Sequence, residues 1–501
     1  MKITVKTRLG DVIGLQQEQY QEFLGIRYAK APEEELRFKP PVLIDEWQPP
    51  QDATQHGPMC YQSHKDDPQI DLPESEDCLL LNIYTPATDE TQRPVMVYIH
   101  GGGFAIGSAS RPRLHGGYLA LRGDVVVVSI QYRLGVLGFF NHQGISPNLG
   151  IQDQICALQW IQKNIEDYGG DPQNVTIFGQ SAGSMSVSWL IVAPGAKGLF
   201  HKAIGQSGTI SFDDKMNLFA GSKTTNTKFF KNLKTSNADL KSLQVLPIET
   251  IMQAEKKMMK GNFLTDRYFF PFPDGKIIPK DIKNAWKTGH AKEIPLILGM
   301  NADELPLFSS GAIFGNFKQW MVKTLIMKGI QKDIKLPKER FEELMQAYWE
   351  YYPVPKFHKY AMYEAFIADM AFWIFTNKVA ELHSTLNDVY MYIFNYKAPK
   401  INASPHCFEL MFVFGNPTSK DFAEYIWLEG TEEQLYLSDQ MMDSWINFAR
   451  TGNPNHKELP TWEKYEESQR STMFFDVPSK IVKNPRESLR LAWEKFFDSQ
   501  S

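Results

Sequence analysis

One segment, residues 174–192, decides the fold of this chain: NVTIFGQSAGSMSVSWLIV. Its first five residues form an apolar, strand-like run, and residues 184–192 have the pattern of a helix. The turn between them has small residues on both sides of Ser181, because a cramped turn leaves no room for larger side chains near its backbone. Strand, tight turn and helix in this order form a nucleophile elbow, which exposes the serine hydroxyl at the apex of the turn.

A glycine run upstream supports this interpretation. Residues 100–104, HGGGF, directly follow a strand candidate at residues 95–99. A reaction that passes through a tetrahedral intermediate needs backbone N–H groups aimed at the developing oxyanion, and glycines let the main chain approach that closely. We therefore predict that the N–H groups of Gly102, Gly103 and Ala182 form an oxyanion hole.

Length and composition indicate a globular protein with a large core. The chain has 501 residues, of which 43% are hydrophobic and 22% charged, and large α/β enzymes with insertions reach this length as one unit. The net charge of −5 gives no electrostatic reason to expect nucleic acid or an anionic membrane as a partner. The first residues alternate as in a strand, with no apolar secretion segment before them, so we expect a cytoplasmic protein without a membrane partner.

The order of predicted elements favours an α/β fold with a large, mostly parallel central sheet flanked by helices. Short strands in the first quarter, at residues 3–5, 12–15, 22–26 and 79–84, are separated by proline-rich turns, which favours antiparallel pairing. Longer helix and strand alternation follows, and crossovers of that length predict parallel pairing. The later strands are predicted at residues 95–99, 125–130, 174–178, 203–206, 294–298 and 389–394.

We interpret the whole chain, residues 1–501, as a single domain. From about residue 209 to 292 and from about 309 to 357 the pattern turns helical and irregular. Insertions of this kind between sheet strands commonly cover the active face, so we expect a cap; a plain peripheral helical layer is the alternative.

Ser181 needs a base to remove its proton, and the base needs an acid to orient it. In this architecture the acid follows the serine in the chain and the histidine comes last. The strand candidate at residues 294–298 leads to Asp303 and Glu304, and spacing does not distinguish these two carboxylates.

Four histidines lie beyond the acid, and we choose His406 as the base. It follows the strand candidate at residues 389–394 across a polar loop and precedes an aromatic cluster at residues 408–414. His383 falls inside a helical pattern, His456 lies in a polar turn, and His358 stands among lysines and aromatics before a helix.

The four cysteines are too few for a disulfide scaffold and lack the paired spacing of a zinc site, so no metal or cofactor is predicted. Cys60 and Cys78 bracket a polar loop, where a bridge would stabilise the fold by roughly 3 kcal/mol through loop-closure entropy. In a reducing compartment they would stay thiols.

Together these motifs resemble type B carboxylesterases, the carboxylesterase and cholinesterase family within the α/β-hydrolases, and in particular bacterial carboxylesterases of the para-nitrobenzyl esterase kind. The matching blocks run nearly end to end. They comprise, besides the glycine run and the elbow, residues 23–29 (FLGIRYA), 36–38 (LRF), 75–79 (SEDCL), 148–154 (NLGIQDQ), 169–172 (GGDP) and 448–454 (FARTGNP).

The resemblance implies an α/β-hydrolase fold with a cap over an active-site gorge, and it assigns roles to particular residues. Ser181 is implied as nucleophile, Glu304 rather than Asp303 as acid, and His406 as base, with Gly102, Gly103 and Ala182 as oxyanion hole. The resemblance also places Cys60 and Cys78 at the family's first disulfide pair, which conflicts with a cytoplasmic location.

The chain departs from the family pattern near the site. Gln180 stands where the family usually has glutamate, which removes a negative charge and should weaken attraction of cationic substrates. Leu305 and Cys407 stand where glycine usually follows the acid and the base. No tryptophan lies between Cys60 and Cys78, where cholinesterases carry the one that stacks on choline, so choline esters are not expected to be preferred.

We therefore predict a metal-independent carboxylic-ester hydrolase that acts through an acyl-enzyme on short-chain or aryl esters. Its expected partner is a small-molecule ester, and we expect a monomer or weak homo-oligomer. Phe104, Phe308, Phe372 and Trp373 are candidates to line a hydrophobic pocket, and core packing is the alternative for each. A catalytically silent recognition module of the same fold and an interfacial lipase are the alternatives, and amide or carbamate cleavage stays open.

Overall fold

Most of the chain folds around one central sheet. A computed structural model describes residues 1–62, 71–212, 225–235, 239–259, 269–305, 338–352, 359–420 and 426–498. His358 and Phe308 lie outside the described residues. The described strands are β1 (Lys2–Thr7), β2 (Gly10–Gln16), β3 (Gln21–Arg27), β4 (Gln51–Asp52), β5 (Met59–Cys60), β6 (Glu74–Ser75), β7 (Leu80–Thr85), β8 (Arg93–Ile99), β9 (Val126–Ile130), β10 (Gly170–Gln180), β11 (Lys202–Gln206), β12 (Leu296–Asn301), β13 (Val389–Phe394), β14 (Thr472–Phe475) and β15 (Lys480–Val482).

The large sheet is antiparallel at its two edges and parallel in the middle. Its strand order is β1-β2-β3-β7-β9-β8-β10-β11-β12-β13-β14-β15, with β4 paired to β2. The pairs from β9 through β14 are parallel, whereas β1 to β3, β7 and the β14–β15 pair are antiparallel. The predicted change from antiparallel to parallel pairing is confirmed.

Several strand predictions have wrong limits, among them those for β12 and β10. The strand predicted at residues 294–298 is β12, which begins at Leu296. Pro295 has no N–H to contribute to a ladder, so the strand starts after it. The strand predicted at residues 174–178 extends to Gly170–Gln180, and its register shifts between Gly170 and Val175.

Helices cover both faces of the sheet. Those that the structure describes are α1 (Gly117–Gly123), α2 (Gly135–Phe139), α3 (Leu149–Asn164), α4 (Ala182–Val192), α5 (Thr225–Asn232), α6 (Leu240–Gln244), α7 (Ile248–Met259), α8 (Ile282–Thr288), α9 (Lys338–Tyr351), α10 (Lys359–Ala368), α11 (Ile374–Ser384), α12 (Leu410–Val413), α13 (Glu432–Thr451) and α14 (Glu487–Asp498). A π-helical turn, Asp369–Trp373, joins α10 to α11.

The central strands bury both of their faces. In β8, Val95, Val97 and Ile99 pack into the core that contains α3 and α4. The alternate residues Met96 and Tyr98 pack into the core on the other face, with α1 and α13. Successive side chains of a strand point to opposite faces, so a continuous apolar run is what a doubly covered parallel strand requires.

The predicted insertions are partly described. The described part of the first carries α5 to α8, and α9 belongs to the second. Their expected function as a cap stays a prediction. Within the described residues, no helix combines the length and apolar character needed to cross a bilayer, and no group of His, Cys, Asp and Glu side chains is arranged to hold a metal ion.

Candidate active site

Ser181 lies in a strained turn between β10 and α4. Its backbone has φ 57° and ψ −123°, a conformation that costs a non-glycine residue on the order of 1–3 kcal/mol. Two hydrogen bonds hold the turn: the Ser181 N–H donates to the Gln206 carbonyl at 2.8 Å, and the Met185 N–H donates to the Ser181 carbonyl at 2.9 Å. The nucleophile elbow predicted from the sequence is therefore present as a backbone geometry.

The small residues around the turn are required by close backbone contacts. A Cβ at Gly183 would lie 1.9 Å from the Ile99 carbonyl oxygen, and one at Gly179 would lie 2.5 Å from the Gly183 carbonyl carbon. Such distances leave no space for a side chain, so only glycine fits at either position.

The glycine run lies directly beside the elbow, because β8 and β10 are parallel neighbours with Ile99 opposite Gly179. A Cβ at Gly101 would come within 3.1 Å of the Ser181 Cβ. Gly102 and Gly103 have φ values of 118° and 61°, which other residues rarely adopt. Ala182 is the first residue of α4, where the helix presents free N–H groups and the positive end of its dipole.

Two residues outside the loop that carries the glycine run, Tyr132 and Gln62, stabilise it by contacts with His100 and Gly107. His100 stacks on Tyr132 with ring centroids 4.5 Å apart, and the Tyr132 hydroxyl donates to the His100 carbonyl at 2.8 Å. Gln62 makes two hydrogen bonds to Gly107, one to its carbonyl and one from its N–H, each 2.9 Å long. Gln62 lies two residues after Cys60, which is bonded to Cys78, so the bridged segment is attached to the loop. Sequence reasoning did not find Gln62.

Glu304 and His406, the predicted acid and base, contact each other at the edge of the sheet where β12 and β13 end. Nδ1 of His406 is 2.5 Å from Oε2 of Glu304. In addition, the backbone N–H of His406 donates a hydrogen bond to the backbone carbonyl of Glu304 at 3.2 Å. The Asn301 N–H, at the end of β12, donates to the other carboxylate oxygen of Glu304 at 2.8 Å. This arrangement makes Nδ1 the protonated nitrogen and leaves Nε2 to accept a proton.

Asp303 points elsewhere. Its carboxylate pairs with Lys397 and accepts a hydrogen bond from the Ser404 N–H at 2.9 Å. It therefore stabilises the loop that carries the base, whereas Glu304 contacts the base itself. Sequence spacing did not distinguish Asp303 from Glu304, but their contacts do: of the two side chains, that of Glu304 contacts His406.

Burial and charge act in opposite directions on His406. The residue is 3% exposed and Glu304 is fully buried. Burial by itself lowers the pKa of the imidazole, but Cys407 and the adjacent Glu304 carboxylate raise it, and the net pKa lies well above the ordinary value. We attribute the rise to Glu304, because a buried carboxylate in hydrogen-bond contact stabilises the imidazolium.

Gln180 covers the imidazole ring. Its carboxamide nitrogen lies 3.1 Å from Nε2 and 3.4 Å from Nδ1 of His406. A point at such similar distances from both nitrogens lies over the ring face, since within the ring plane it would collide with ring carbons. The Cys407 thiol donates to Oε1 of Gln180 at 3.1 Å.

A second buried carboxylate, Glu409, lies close to this group. It accepts hydrogen bonds from the side-chain amides of Asn301 at 2.7 Å and Gln206 at 3.2 Å. Burial, and then repulsion from Glu304, raises the pKa of Glu409 to about 7. Sequence reasoning missed this residue, although a single carboxylate inside the apolar run at residues 408–414 is a signal that could have found it.

The other described histidines beyond the acid have structural partners. Nδ1 of His383 accepts from the Trp286 indole at 3.1 Å, and its Nε2 donates to the Ile294 carbonyl at 2.7 Å. Nε2 of His456 lies 3.0 Å from the Gln440 carbonyl. His406 alone of these three contacts a carboxylate next to the elbow, which supports its choice as the base.

The three pocket candidates among the described residues differ in their contacts. Phe104 is buried, with Phe139 and Phe270 as edge-on ring neighbours. Phe372 stacks on His406 with ring centroids 5.0 Å apart. Trp373, the next residue, is buried in the same apolar cluster as Phe372, together with residues of α9, α10 and α14.

A serine elbow on a mostly parallel sheet, beside a glycine loop and a carboxylate–imidazole pair in the chain order Ser, Glu, His, defines an α/β-hydrolase of the serine hydrolase class. Comparisons with known proteins give the family. The model of the carboxylesterase family matches residues 1–492. The chain belongs to the carboxylesterase family, and its reaction is the hydrolysis of carboxylic esters.

Relatives and solved structures agree with this assignment. The chain is 33% identical to the para-nitrobenzyl esterase of Bacillus subtilis over 99% of both chains, and 36% identical to the acylcarnitine hydrolase of Rattus norvegicus over 88% of this chain and 80% of that protein. A carboxylesterase crystal structure from Geobacillus stearothermophilus at pH 6.2 superposes with a TM-score of 0.85 at 32% identity, covering 98% of this chain and 99% of the other.

Proposed function

We propose that Ser181, His406 and Glu304 are the catalytic triad of this carboxylic-ester hydrolase. Nε2 of His406 accepts the Ser181 proton as the hydroxyl oxygen attacks the ester carbonyl carbon. Glu304 keeps Nδ1 protonated and stabilises the imidazolium that forms. The protonated ring then gives its proton to the leaving alcohol, and an ester of Ser181 remains.

The second half-reaction repeats these steps with water. The neutral imidazole removes a proton from water, which attacks the acyl-enzyme carbonyl, and the proton returns to the Ser181 oxygen as the acid leaves. In both halves we propose that the N–H groups of Gly102, Gly103 and Ala182 hold the oxyanion. The positive end of the α4 dipole adds to this stabilisation.

One observation carries the proposal: the His406 ring contacts both Glu304 and Gln180. Gln180 is the residue directly before the elbow serine, so the acid–base pair lies beside the elbow. Because Ser181 directly follows Gln180, we propose that its hydroxyl donates a hydrogen bond to Nε2, a type of catalytic contact that often tightens only when substrate binds.

The experiment is the Ser181→Ala variant, with Ser188→Ala on the same helix as control. We expect kcat for p-nitrophenyl acetate to fall by about a million-fold in the first and to stay within about twofold in the second. An organophosphate should add its phosphoryl group to Ser181, as read by peptide mass spectrometry. Full activity without Ser181, or labelling at another serine, would refute the triad.

Short-chain and aryl esters are our proposed substrates. Two observations support this: the residue before the nucleophile is the neutral Gln180, and a relative with 33% identity over 99% of both chains is named for para-nitrobenzyl ester cleavage. A panel of p-nitrophenyl esters from acetate to laurate should give its largest kcat/KM below about eight acyl carbons. A rate that rises sharply only above the solubility limit of a triglyceride would instead favour an interfacial lipase.

We also propose a cytoplasmic monomer or weak homo-oligomer. A reducing compartment would convert the Cys60–Cys78 bond of the structure into two thiols, so in this proposal the bond is dispensable for activity. Alkylation of free thiols at the moment of lysis, followed by mass spectrometry, should find both cysteines labelled. Sedimentation velocity should give the mass of one chain at micromolar concentration.

A further inference from the structure

An unusual turn lies beside the proposed base. Helices α10 and α11 are joined without a break by the π-helical turn Asp369–Trp373. A π turn inserts extra backbone into a helix, is rare compared with the α form, and is frequently found at functional sites. The residue of this turn that reaches the site is Phe372.

Phe372 packs against the imidazole itself. The rings of Phe372 and His406 have centroids 5.0 Å apart and planes inclined by 30°, which is a stacked arrangement. Both residues are buried. The Nδ1–H bond to Glu304 still allows the ring to tilt about that bond, whereas a flat neighbour on its face opposes the tilt. The stack therefore acts on the orientation of Nε2, the atom that must meet the Ser181 hydroxyl.

A buried ion pair holds the turn in place. The first residue of the turn, Asp369, accepts a hydrogen bond from Nη2 of Arg486 at 2.6 Å and another from the Tyr348 hydroxyl. Tyr348 in turn accepts from the Trp493 indole at 2.8 Å. The Arg486 guanidinium also lies 4.7 Å from the ring centroid of Trp373.

These contacts tie the turn to the C-terminal part of the chain. Arg486 directly precedes α14, Trp493 lies within it, and Tyr348 lies on α9. Burying a charge pair of this kind costs desolvation free energy and often contributes little to net stability. Because stability alone does not require the Asp369–Arg486 pair, we infer that the pair serves to fix the position of the π turn.

We propose that Phe372 is a positioning residue for the catalytic imidazole and that the Asp369–Arg486 pair acts through it by locking the π turn. This inference rests on the proposed triad. Phe372 limits the tilt of the His406 ring in both half-reactions, so its loss lowers the chemical rate for every ester. A residue that only lined the pocket would change the preference among acyl chains.

The first experiment compares three variants, each corrected for folded enzyme by active-site titration with an organophosphate. Phe372→Leu keeps an apolar side chain but removes the flat ring, and we expect kcat to fall about 10- to 100-fold for acetate, butyrate and octanoate esters alike, with KM within about twofold. Phe372→Tyr restores the ring and should recover most of the rate; Phe372→Trp replaces it if the tyrosine variant does not fold.

Phe366→Leu is the matched control. Phe366 lies on α10 in the same apolar cluster and stacks on Trp493 with centroids 5.4 Å apart. It should lose thermal stability while kcat per active site stays within about twofold. An unchanged kcat in Phe372→Leu, a KM change that depends on acyl length, or an equal loss of kcat in Phe366→Leu would each overturn the inference.

The second experiment tests the lock. Asp369→Asn should lower kcat about tenfold in the wild-type background and cause no further loss in the Phe372→Leu background, because residues that act through one another are not additive. Arg486→Lys serves the same test if Asp369→Asn does not fold. Additive losses in the double variant would show that the ion pair does not act through Phe372.

A failure of this inference differs from a failure of the proposed triad. If His406→Gln retained full activity, the triad would be wrong. If His406→Gln were inactive while Phe372→Leu matched the wild type, the triad would stand and only the positioning function of Phe372 would be refuted.

Discussion

Glu304 accepts a hydrogen bond from Nδ1 of His406 at 2.5 Å, although 102 positions separate the two residues along the chain. The contact forms because β12 and β13 are parallel neighbours, with Asn301 opposite Phe394, so the loops after both strands leave the same edge of the sheet. Glu304 follows β12 directly, and the loop after β13 carries His406 back to it. Ser181 follows β10 at the same edge, which is where parallel sheets of this kind place their sites.

We expect Glu304→Gln to lower kcat by about 1,000- to 10,000-fold, because the neutral amide neither selects the correct tautomer nor stabilises the imidazolium. Asp303→Asn is the control: its carboxylate pairs with Lys397, so activity should stay within about tenfold of wild type. Steady-state kinetics of p-nitrophenyl butyrate hydrolysis measures both. The prediction is wrong if Asp303→Asn loses more activity than Glu304→Gln.

The pH dependence of kcat/KM should follow His406. The base works in its neutral form, and its pKa is raised by Glu304, so activity should increase with pH and reach half its plateau above the ordinary histidine value of about 6.5. Glu304→Gln removes the charge that raises the pKa and should shift the residual acid limb to lower pH. A wild-type limb centred below about pH 6 would contradict this prediction.

Gln180→Glu should favour positively charged esters. The new carboxylate would lie over the His406 ring and beside Cys407, where it adds a negative charge next to the nucleophile. We expect kcat/KM for a cationic ester to rise about 5- to 10-fold relative to a neutral ester of the same shape, through charge attraction. The measurement is the ratio for this substrate pair at low and high salt, and an unchanged ratio counts against the idea.

Glu255 should make stability depend on pH. This α7 residue is buried, and burial raises its pKa to about 8, so the folded state holds its proton to higher pH than the unfolded state, whose pKa is about 4.3. Its stabilising contribution is complete below the unfolded pKa and is lost as pH rises towards 8.

Denaturant unfolding at pH 6 and pH 9 measures this effect. Glu255→Gln should remove part of the loss of unfolding free energy between the two pH values, whereas Glu249→Gln, an exposed glutamate on the same helix, should leave it unchanged. Equal pH dependence in wild type and Glu255→Gln would exclude Glu255 as the cause.

Steric limits and hydrophobic patterns that act over a few residues were enough to predict the elbow and the buried strands from the sequence. The elbow at Ser181 follows from steric limits that act over a few residues, since side chains at Gly179 and Gly183 would collide with nearby backbone. The doubly buried strands follow from continuous apolar runs. The order of serine, acid and histidine then narrowed the site to two carboxylates and four histidines, and the resemblance to type B carboxylesterases implied one of each.

Tertiary structure decided what depends on contacts between distant segments. Asp303 and Glu304 are neighbours in the chain, and only the fold turns one towards Lys397 and the other towards His406. The carboxamide of Gln180 over the imidazole, the stack of Phe372 and the buried Glu409 likewise arise where the fold brings separate segments together. Sequence spacing carries the local backbone geometry, but the direction of a side chain at a loop is set by the packing of all the segments that surround it.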